Sequence, residues 1–251
     1  MRRHDRLATI LDSLADHGSV EVEALASQLG VSPSTVRRDL QALEEQHLLE
    51  RTHGGALGNG AGLELPLRLR RGRMRDEKGR IAAVAAARVA DGSSLALTGG
   101  TTTSEVARRL VDRDRLTIVT NAINIASEIA VRPNLRLILT GGVARGASYE
   151  LVGPLAERGL EGIHVDTAFV GVDGIAPAGL TTHDDVEAQT NRALIDHAAH
   201  VVVVADASKI GAVALARICE LDRVDELITD SGADPRLLEQ IAARGVTVTT
   251  A

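Results

Sequence analysis

Two sets of residues in this chain have the types and spacing for recognition chemistry. The first begins with Gly99-Gly100-Thr101-Thr102-Thr103, which follows an apolar run and opens a helical pattern. Glycines there let backbone N–H groups face an anion, threonine hydroxyls add donors, and the start of a helix favours negative charge. The loop is neither a Walker loop nor a GxGxxG fingerprint, so no nucleotide and no other cofactor is indicated. Taken alone, an ordinary strand-to-helix turn is the alternative. Thr120-Asn121 and Thr140-Gly141-Gly142 end the next two apolar runs. Three such loops on one edge favour a polar, phosphate-sized pocket over chance turns. Arg145 follows as a candidate phosphate partner, a surface arginine being the alternative. Tyr149 reads as a packing residue with a polar tip, or as a side chain closing over a sugar; Glu150 follows it. Asp173, in Gly171-Val172-Asp173-Gly174, is a candidate acceptor for sugar hydroxyls. Lys209, in Asp206-Ala207-Ser208-Lys209, is a candidate point charge for phosphate. Glu187 reads as part of a solvated face rather than a ligand contact.

The second set lies near the front of the chain. Val22, Leu25, Ala26 and Leu29 mark a helix closed by Gly30, where a left-handed residue is wanted. Ser32 is then a natural N-cap, and Pro33 fits the first helical position. In the next helix Val36, Leu40 and Leu43 point inward, while Ser34, Arg37, Arg38 and Gln41 share the outer face, with Thr35 close to it. That is how a chain presents a short helix to the major groove of DNA. Arg37 and Arg38 diverge by about 100° on a helix, so one reads a base while the other holds phosphate or a partner acid such as Asp39. Leu48 to Leu57 reads as a hairpin turning at His53-Gly54-Gly55, a wing with Arg51 and His53 as contacts. The candidate DNA contacts are therefore Ser32, Ser34, Thr35, Arg37, Arg38, Gln41, Arg51 and His53. A helical protein-interaction module is the alternative.

The elements that must position these residues follow from pattern. At 251 residues, two domains are expected. Leu7, Ile10, Leu11 and Leu14 predict an opening helix, ended by Gly18. A helix is expected from Asp76 to Ala90. Beyond it, strands are expected at 94–97, 117–119, 136–139, 167–170, 201–205, 226–228 and 246–248. Helices are expected near 103–110, 123–130, 184–199 and 235–243. Continuous apolar strands alternating with helices predict an α/β, Rossmann-like parallel sheet covered on both faces, with ligands at the strands' C-terminal ends. The expected division is 1–57 for the DNA-binding domain, 58–75 for a linker, and 76–251 for an effector-binding and oligomerisation domain. Gly58-Asn59-Gly60-Ala61-Gly62 reads as a flexible joint. The arginines that follow it read as a solvated connector, with an arm touching phosphates as the alternative.

Composition narrows the classes. Tyr149 and Phe169 are the only aromatic residues, which argues against base stacking on single strands or RNA. The single Cys219 cannot make an intrachain disulfide and has no metal-ligand cluster around it, which suits a reducing cytosol. No apolar span reaches bilayer length and no basic leader precedes an apolar run, so a cytoplasmic protein without membrane contact is expected. The net charge of −6 divides as −3 over residues 1–57, +4 over 58–80 and −7 beyond. Positive charge for phosphate must therefore be local, which limits non-specific affinity.

Residues 3–57 resemble the winged helix-turn-helix of the DeoR family of bacterial transcriptional regulators, on Ser32-Pro33-Ser34-Thr35-Val36-Arg37-Arg38-Asp39-Leu40 and His53-Gly54-Gly55-Ala56. Residues 78–230 resemble the DeoR-type sensor domain, on Gly100 to Thr103, Thr120-Asn121, Thr140 to Gly142, Leu151 to Pro154, Gly171 to Ile175, Gly179 to Thr182 and Asp206 to Lys209. The resemblance implies a fold shared with ribose-5-phosphate isomerase and CoA transferases. It also implies a phosphorylated sugar effector and repression of a carbohydrate operon. Many members carry an acidic residue where this chain has Thr98, a departure that bears on the polyol contact and on effector choice. The reading is a homo-oligomeric repressor, dimer or tetramer, released from duplex operator DNA by a sugar phosphate. The alternatives are a sugar-phosphate isomerase using Asp173, Glu187 and Lys209 for acid–base work, and an oligomeric adaptor without DNA contact.

Overall fold

The computed structural model describes residues 3–46, 48–58, 66–70 and 72–251. The chain divides into two compact units, Met1–Arg73 and Met74–Ala251.

The first unit contains α1 (Arg3–His17), β1 (Ser19–Glu21), α2 (Val22–Leu29), α3 (Pro33–Glu44), β2 (Leu49–Arg51), β3 (Gly55–Gly58) and α4 (Leu67–Arg70). The expected stripe of Leu7, Ile10, Leu11 and Leu14 is buried against Leu25, Val36, Leu40 and Leu43. Gly30 caps α2 with φ +64°, and the Ser32 hydroxyl accepts from the Thr35 N–H at the start of α3. The expected hairpin pairs Arg51 with Ala56 and Leu49 with Gly58. It carries a third strand that the sequence pattern did not suggest, since β1 pairs with β3 and gives the order β1-β3-β2. Three residues wedged between Gly18 and a helix are too few for a legible alternation. Gly55 is where this strand matters, because a Cβ there would overlap the Val20 carbonyl. Asn59 to Leu65 and Arg71, within the expected linker, lie outside the described residues. Leu69, also of that segment, is buried in the first unit's core.

Asp39 is one of the few buried charges of this unit. It does not face Arg37 or Arg38: its Oδ2 lies 2.6 Å from Arg6 Nε and its Oδ1 3.4 Å from Arg3 Nε. The Arg37-Arg38-Asp39 run thus splits, with the acid turned inward to clamp α3 onto α1.

The second unit contains α5 (Arg75–Ala87), β4 (Ser94–Leu97), α6 (Thr101–Leu110), β5 (Thr117–Thr120), α7 (Ile123–Ile129), β6 (Arg136–Leu139), β7 (Val143–Arg145), β8 (Glu150–Val152), α8 (Pro154–Arg158), β9 (Val165–Val170), β10 (Gly174–Ala176) and β11 (Gly179–Thr182). It continues with α9 (Asp185–Asp196), β12 (Ala198–Val204), β13 (Ala216–Cys219), β14 (Glu226–Thr229), α10 (Pro235–Ala242) and β15 (Thr247–Thr250). All seven expected strands lie in one parallel sheet of order β15-β14-β12-β9-β4-β5-β6. Successive residues face opposite layers. Leu95, Leu97, Ile118, Phe169, Val202 and Val204 pack on one side, and Ala96, Val119, Ala168, Val170, Val201 and Val203 on the other. Both faces are apolar because both are covered by helices.

Element boundaries differ from expectation in several places: β9 starts two residues early at Val165, β12 spans Ala198–Val204 and β15 spans Thr247–Thr250. The helix expected to reach Ala90 ends at Ala87, and α6 begins two residues early at Thr101. The helix expected to run to Ala199 stops at Asp196, because Ala198 is already paired with Val165 in the sheet. Five further strands were not expected. The pair β7–β8 and the sheet β10-β11-β13 are short, glycine-interrupted and set over the edge of the main sheet.

Asp39→Ala should lower the melting temperature of the first unit, since it leaves the largely buried Arg6 without its acceptor, a loss of about 1–3 kcal/mol. Thermal unfolding followed by circular dichroism checks this; an unchanged transition would remove Asp39 from its clamping role.

Candidate functional site

In the first unit, α3 is amphipathic by construction. Val36, Leu40 and Leu43 are buried, which turns Ser34, Arg37, Arg38 and Gln41 outward, with Thr35 half-buried at the border. Ser32, Ser34 and Thr35 form a hydroxyl cluster at the helix start, with Ser32 Oγ 2.9 Å from both other side-chain oxygens. Arg37 leans on Glu23 at 3.5 Å and Gln41 donates to Glu45 at 3.1 Å. Arg38 makes no ion pair among the described residues. On the wing, Arg51 is steadied by Glu44, whose Oε1 accepts from the Arg51 N–H at 3.1 Å. His53 is exposed at the turn. The helix start, the outer face and the exposed wing turn thus offer hydroxyl, guanidinium and imidazole groups on one small unit.

In the second unit, parallel strands deliver their following loops to one edge. After β4, Gly99 and Gly100 lead into α6. Gly100 takes φ +129°, and no side chain caps the helix. The N–H groups of Gly100, Thr101, Thr102 and Thr103 find no acceptor among the described residues, while Thr103 and Ser104 hydroxyls turn back onto the Gly100 carbonyl. Thr98 is fully buried; its Oγ1 accepts from the Gly171 N–H at 3.0 Å and so straps the β4 loop to the β9 loop.

After β5, Asn121 is buried and donates through Nδ2 to Glu150 Oε2 at 2.9 Å and to Asn191 Oδ1 at 3.3 Å. After β6 come Gly141 and Gly142, both at positive φ, the first with open space around it. A Cβ at Gly142 would press on Val152 and Ala156, so this glycine lets the β7–β8 hairpin and α8 approach. That hairpin is joined by a four-residue turn closed by the Tyr149 N–H on the Arg145 carbonyl. Tyr149, half-buried, takes φ +61°, an unusual conformation for a bulky residue.

Arg145 leaves the hairpin to meet α9: its Nε lies 3.0 Å from Asp184 Oδ2 and its guanidinium 3.2 Å from Glu187 Oε2. Glu187 was expected on a solvated face; it is buried instead, because the first turn of α9 is tucked beneath the hairpin. Glu187 Oε1 accepts from Thr182 Oγ1 at 2.6 Å, and Thr182 lies 3.0 Å from Asp173 Oδ2. Asp173 Oδ1 is 3.5 Å from Lys209 Nζ. Arg145, Asp173 and Lys209 are therefore brought into one polar chain with Thr182, Asp184 and Glu187, while Asn121 joins Glu150 and Asn191 beside it. Burial alone would raise the Asp184 carboxyl, but the Glu187 N–H and the Arg145 charge outweigh it and hold Asp184 below the ordinary aspartate range. At the same edge, Lys78 of α5 and Asp206, both buried, lie 3.6 Å apart, and Asp206 also receives the Ser208 N–H.

Sequence reading gave no role at the site to Glu150, Thr182, Asp184, Asn191 or Lys78. The first sits in a hairpin with no pattern, and the others read as ordinary polar positions on helices and strands.

The DeoR C terminal sensor domain family matches residues 73–231. The DeoR-like helix-turn-helix domain family matches residues 6–60. The chain belongs to the DeoR family. Among its relatives is the glycerol-3-phosphate regulon repressor of Escherichia coli, 34% identical over 92% of each chain. The HTH-type transcriptional regulator GlpR of Haloferax volcanii is 36% identical over 97% of this chain and 96% of its own. The HTH-type transcriptional repressor GlcR of Bacillus subtilis is 33% identical over 98% and 95%. Among solved structures, ribose 5-phosphate isomerase A from Methanocaldococcus jannaschii overlaps 54% of each chain at 21% identity and a TM-score of 0.40. The DeoR membership gives this chain the type of a DNA-binding transcriptional regulator.

For this DeoR-family chain, the Arg145–Asp184 pair makes a pH-dependent prediction. Because the folded Asp184 is depressed, its pairing stabilises the protein above the ordinary aspartate range and is lost as pH falls through the folded value. Arg145→Gln should therefore unfold at lower urea than wild type at pH 7, and the gap should narrow at pH 4 and below. A gap that stays constant with pH would contradict the pairing.

Proposed function

We propose that this chain represses a carbohydrate-metabolism operon and leaves its operator when a phosphorylated sugar binds. The reading places Ser32, Ser34, Thr35, Arg37, Arg38 and Gln41 of α3, with Arg51 and His53 of the wing, against duplex DNA. It works in the cytoplasm as a homo-oligomer, dimer or tetramer, so that paired recognition helices meet paired half-sites. The observation that carries the effector half is the uncapped start of α6. Four consecutive backbone N–H groups at Gly100 to Thr103 lack acceptors among the described residues, at the C-terminal edge of a parallel sheet, the place where such folds bind anions.

The phosphate of the ligand sits at Gly99 to Thr103. Asn121, Arg145, Tyr149, Asp173 and Lys209 face the sugar, with the Gly141-Gly142 loop holding the hairpin over it. One relative is named as the glycerol-3-phosphate regulon repressor, which supports a polyol phosphate ester as the ligand class. The ligand must bind the two states unequally for release to follow.

We propose equally that the edge does no catalysis. Asp173, Glu187 and Lys209, the residues an isomerase would need free, are tied to one another and to Thr182 and Arg145. Purified protein is expected to leave ribose 5-phosphate unconverted over hours; turnover that disappears in Glu187→Ala would reverse this reading.

Arg38→Ala should weaken operator binding by about tenfold or more at matched salt, the worth of a guanidinium reaching a base edge. Fluorescence anisotropy on a promoter fragment measures it. Unchanged affinity would exclude Arg38 from the interface.

A further inference from the structure

One buried polar contact at the sheet edge is made by a residue outside the recognition loops. Glu150 opens β8 and is buried at 3% exposure. Its strand is laid across the loop after β5 by two main-chain bonds, Leu151 N–H to the Asn121 carbonyl at 2.7 Å and Ile123 N–H to the Tyr149 carbonyl at 2.9 Å. The carboxyl rests directly on Gly99: a Cβ at that position would overlap its Oε1. Glu150 therefore sits at the foot of the Gly100–Thr103 turn.

Asn121, fully buried, donates its Nδ2 to Glu150 and Asn191. Turning the amide over would set its oxygen against two acceptors, so this orientation is fixed. Its Oδ1 is then buried without a partner among the described residues. An unmatched buried acceptor beside a carboxylate calls for O–H donors. The oxygens of a phosphate monoester dianion are acceptors and cannot supply them; the alcohol hydroxyls of a polyol can.

We propose that Glu150, together with the Asn121 carbonyl oxygen, is the hydroxyl-reading and specificity-determining pair of the effector site. It selects a polyhydroxylated phosphate ester over a bare phosphate. This inference rests on the placement of the phosphate at the α6 start. A carboxylate so near that helix start also opposes an anion that brings no hydroxyl to compensate it. The pair thus gives selectivity in both directions: it binds the sugar and repels the bare ion.

The test is calorimetric titration of the full chain with inorganic phosphate, glycerol 3-phosphate, fructose 1-phosphate and ribose 5-phosphate. Wild type should bind at least one ester about tenfold or more tighter than phosphate, as expected when a site's buried polar groups must be matched. Glu150→Gln and Glu150→Ala, checked for a native circular dichroism spectrum, should lose about tenfold toward that ester and gain affinity for phosphate. A parallel fall toward both ligands is what a merely structural role gives, and it would overturn the assignment. So would variants that keep the wild-type ratio. Wild type that binds phosphate and esters alike would overturn the Glu150 inference while leaving the phosphate site standing. Wild type that binds none of the four would overturn both.

Discussion

A parallel strand cannot turn back into its neighbour; the chain must cross over the sheet before the next strand begins. That constraint organises the second unit. Because β4, β5, β9 and β12 all run the same way, the residues that follow them, Gly99, Asn121, Gly171 and Asp206, come out at one edge. The register that aligns Leu97 with Thr120 and with Phe169 sets these exits side by side. The apolar layers on both faces hold that register, since a slip by one residue would move Leu95, Leu97 and Phe169 to the wrong layer. The polar edge is thus a consequence of the direction of the strands and of the packing beneath it.

Charge at this edge is distributed in a way that composition does not reveal. The obvious cations, Arg145 and Lys209, are engaged by Asp184, Glu187 and Asp173. Among the described residues, the backbone N–H groups at the start of α6 are donors without acceptors. On the proposed reading, the anion is read mainly by main chain, while the ion-paired side chains hold the hairpin, α9 and the β10–β11 ribbon in place around it. Such pairs stabilise little by themselves once desolvation is counted, and their use is to fix geometry.

Much of this was legible in the sequence. The central strands of the main sheet were visible as apolar runs, because burial on both faces leaves little polar alternation, whereas the edge strand β15, Thr247–Thr250, is mostly threonine and only partly buried. The helix-turn-helix was visible because Gly30, Ser32 and Pro33 each have a local conformational reason for their place. What was not legible depends on contacts between distant segments. Glu187 looked exposed because its neighbours are polar; only the Arg145 hairpin folded above it makes it buried. Asp39 looked like a partner for Arg37 or Arg38, and the fold gives it to Arg6 and Arg3. Thr98 looked like a missing ligand contact, and its hydroxyl serves to bind the β9 loop to the β4 loop. Three-residue strands such as β1 and β8 carry too few residues for any periodicity.

The central claim is that DNA and a sugar phosphate compete through this one chain by favouring different states. Linkage makes that claim reciprocal: the factor by which the ester weakens operator binding must equal the factor by which operator weakens ester binding. Measuring both on the full-length protein, by anisotropy on a promoter fragment and by calorimetry with and without that fragment at fixed salt, tests it directly. Equal factors above one are predicted; an ester that binds without altering operator affinity, or a protein that shifts no fragment of its own promoter, would contradict the account.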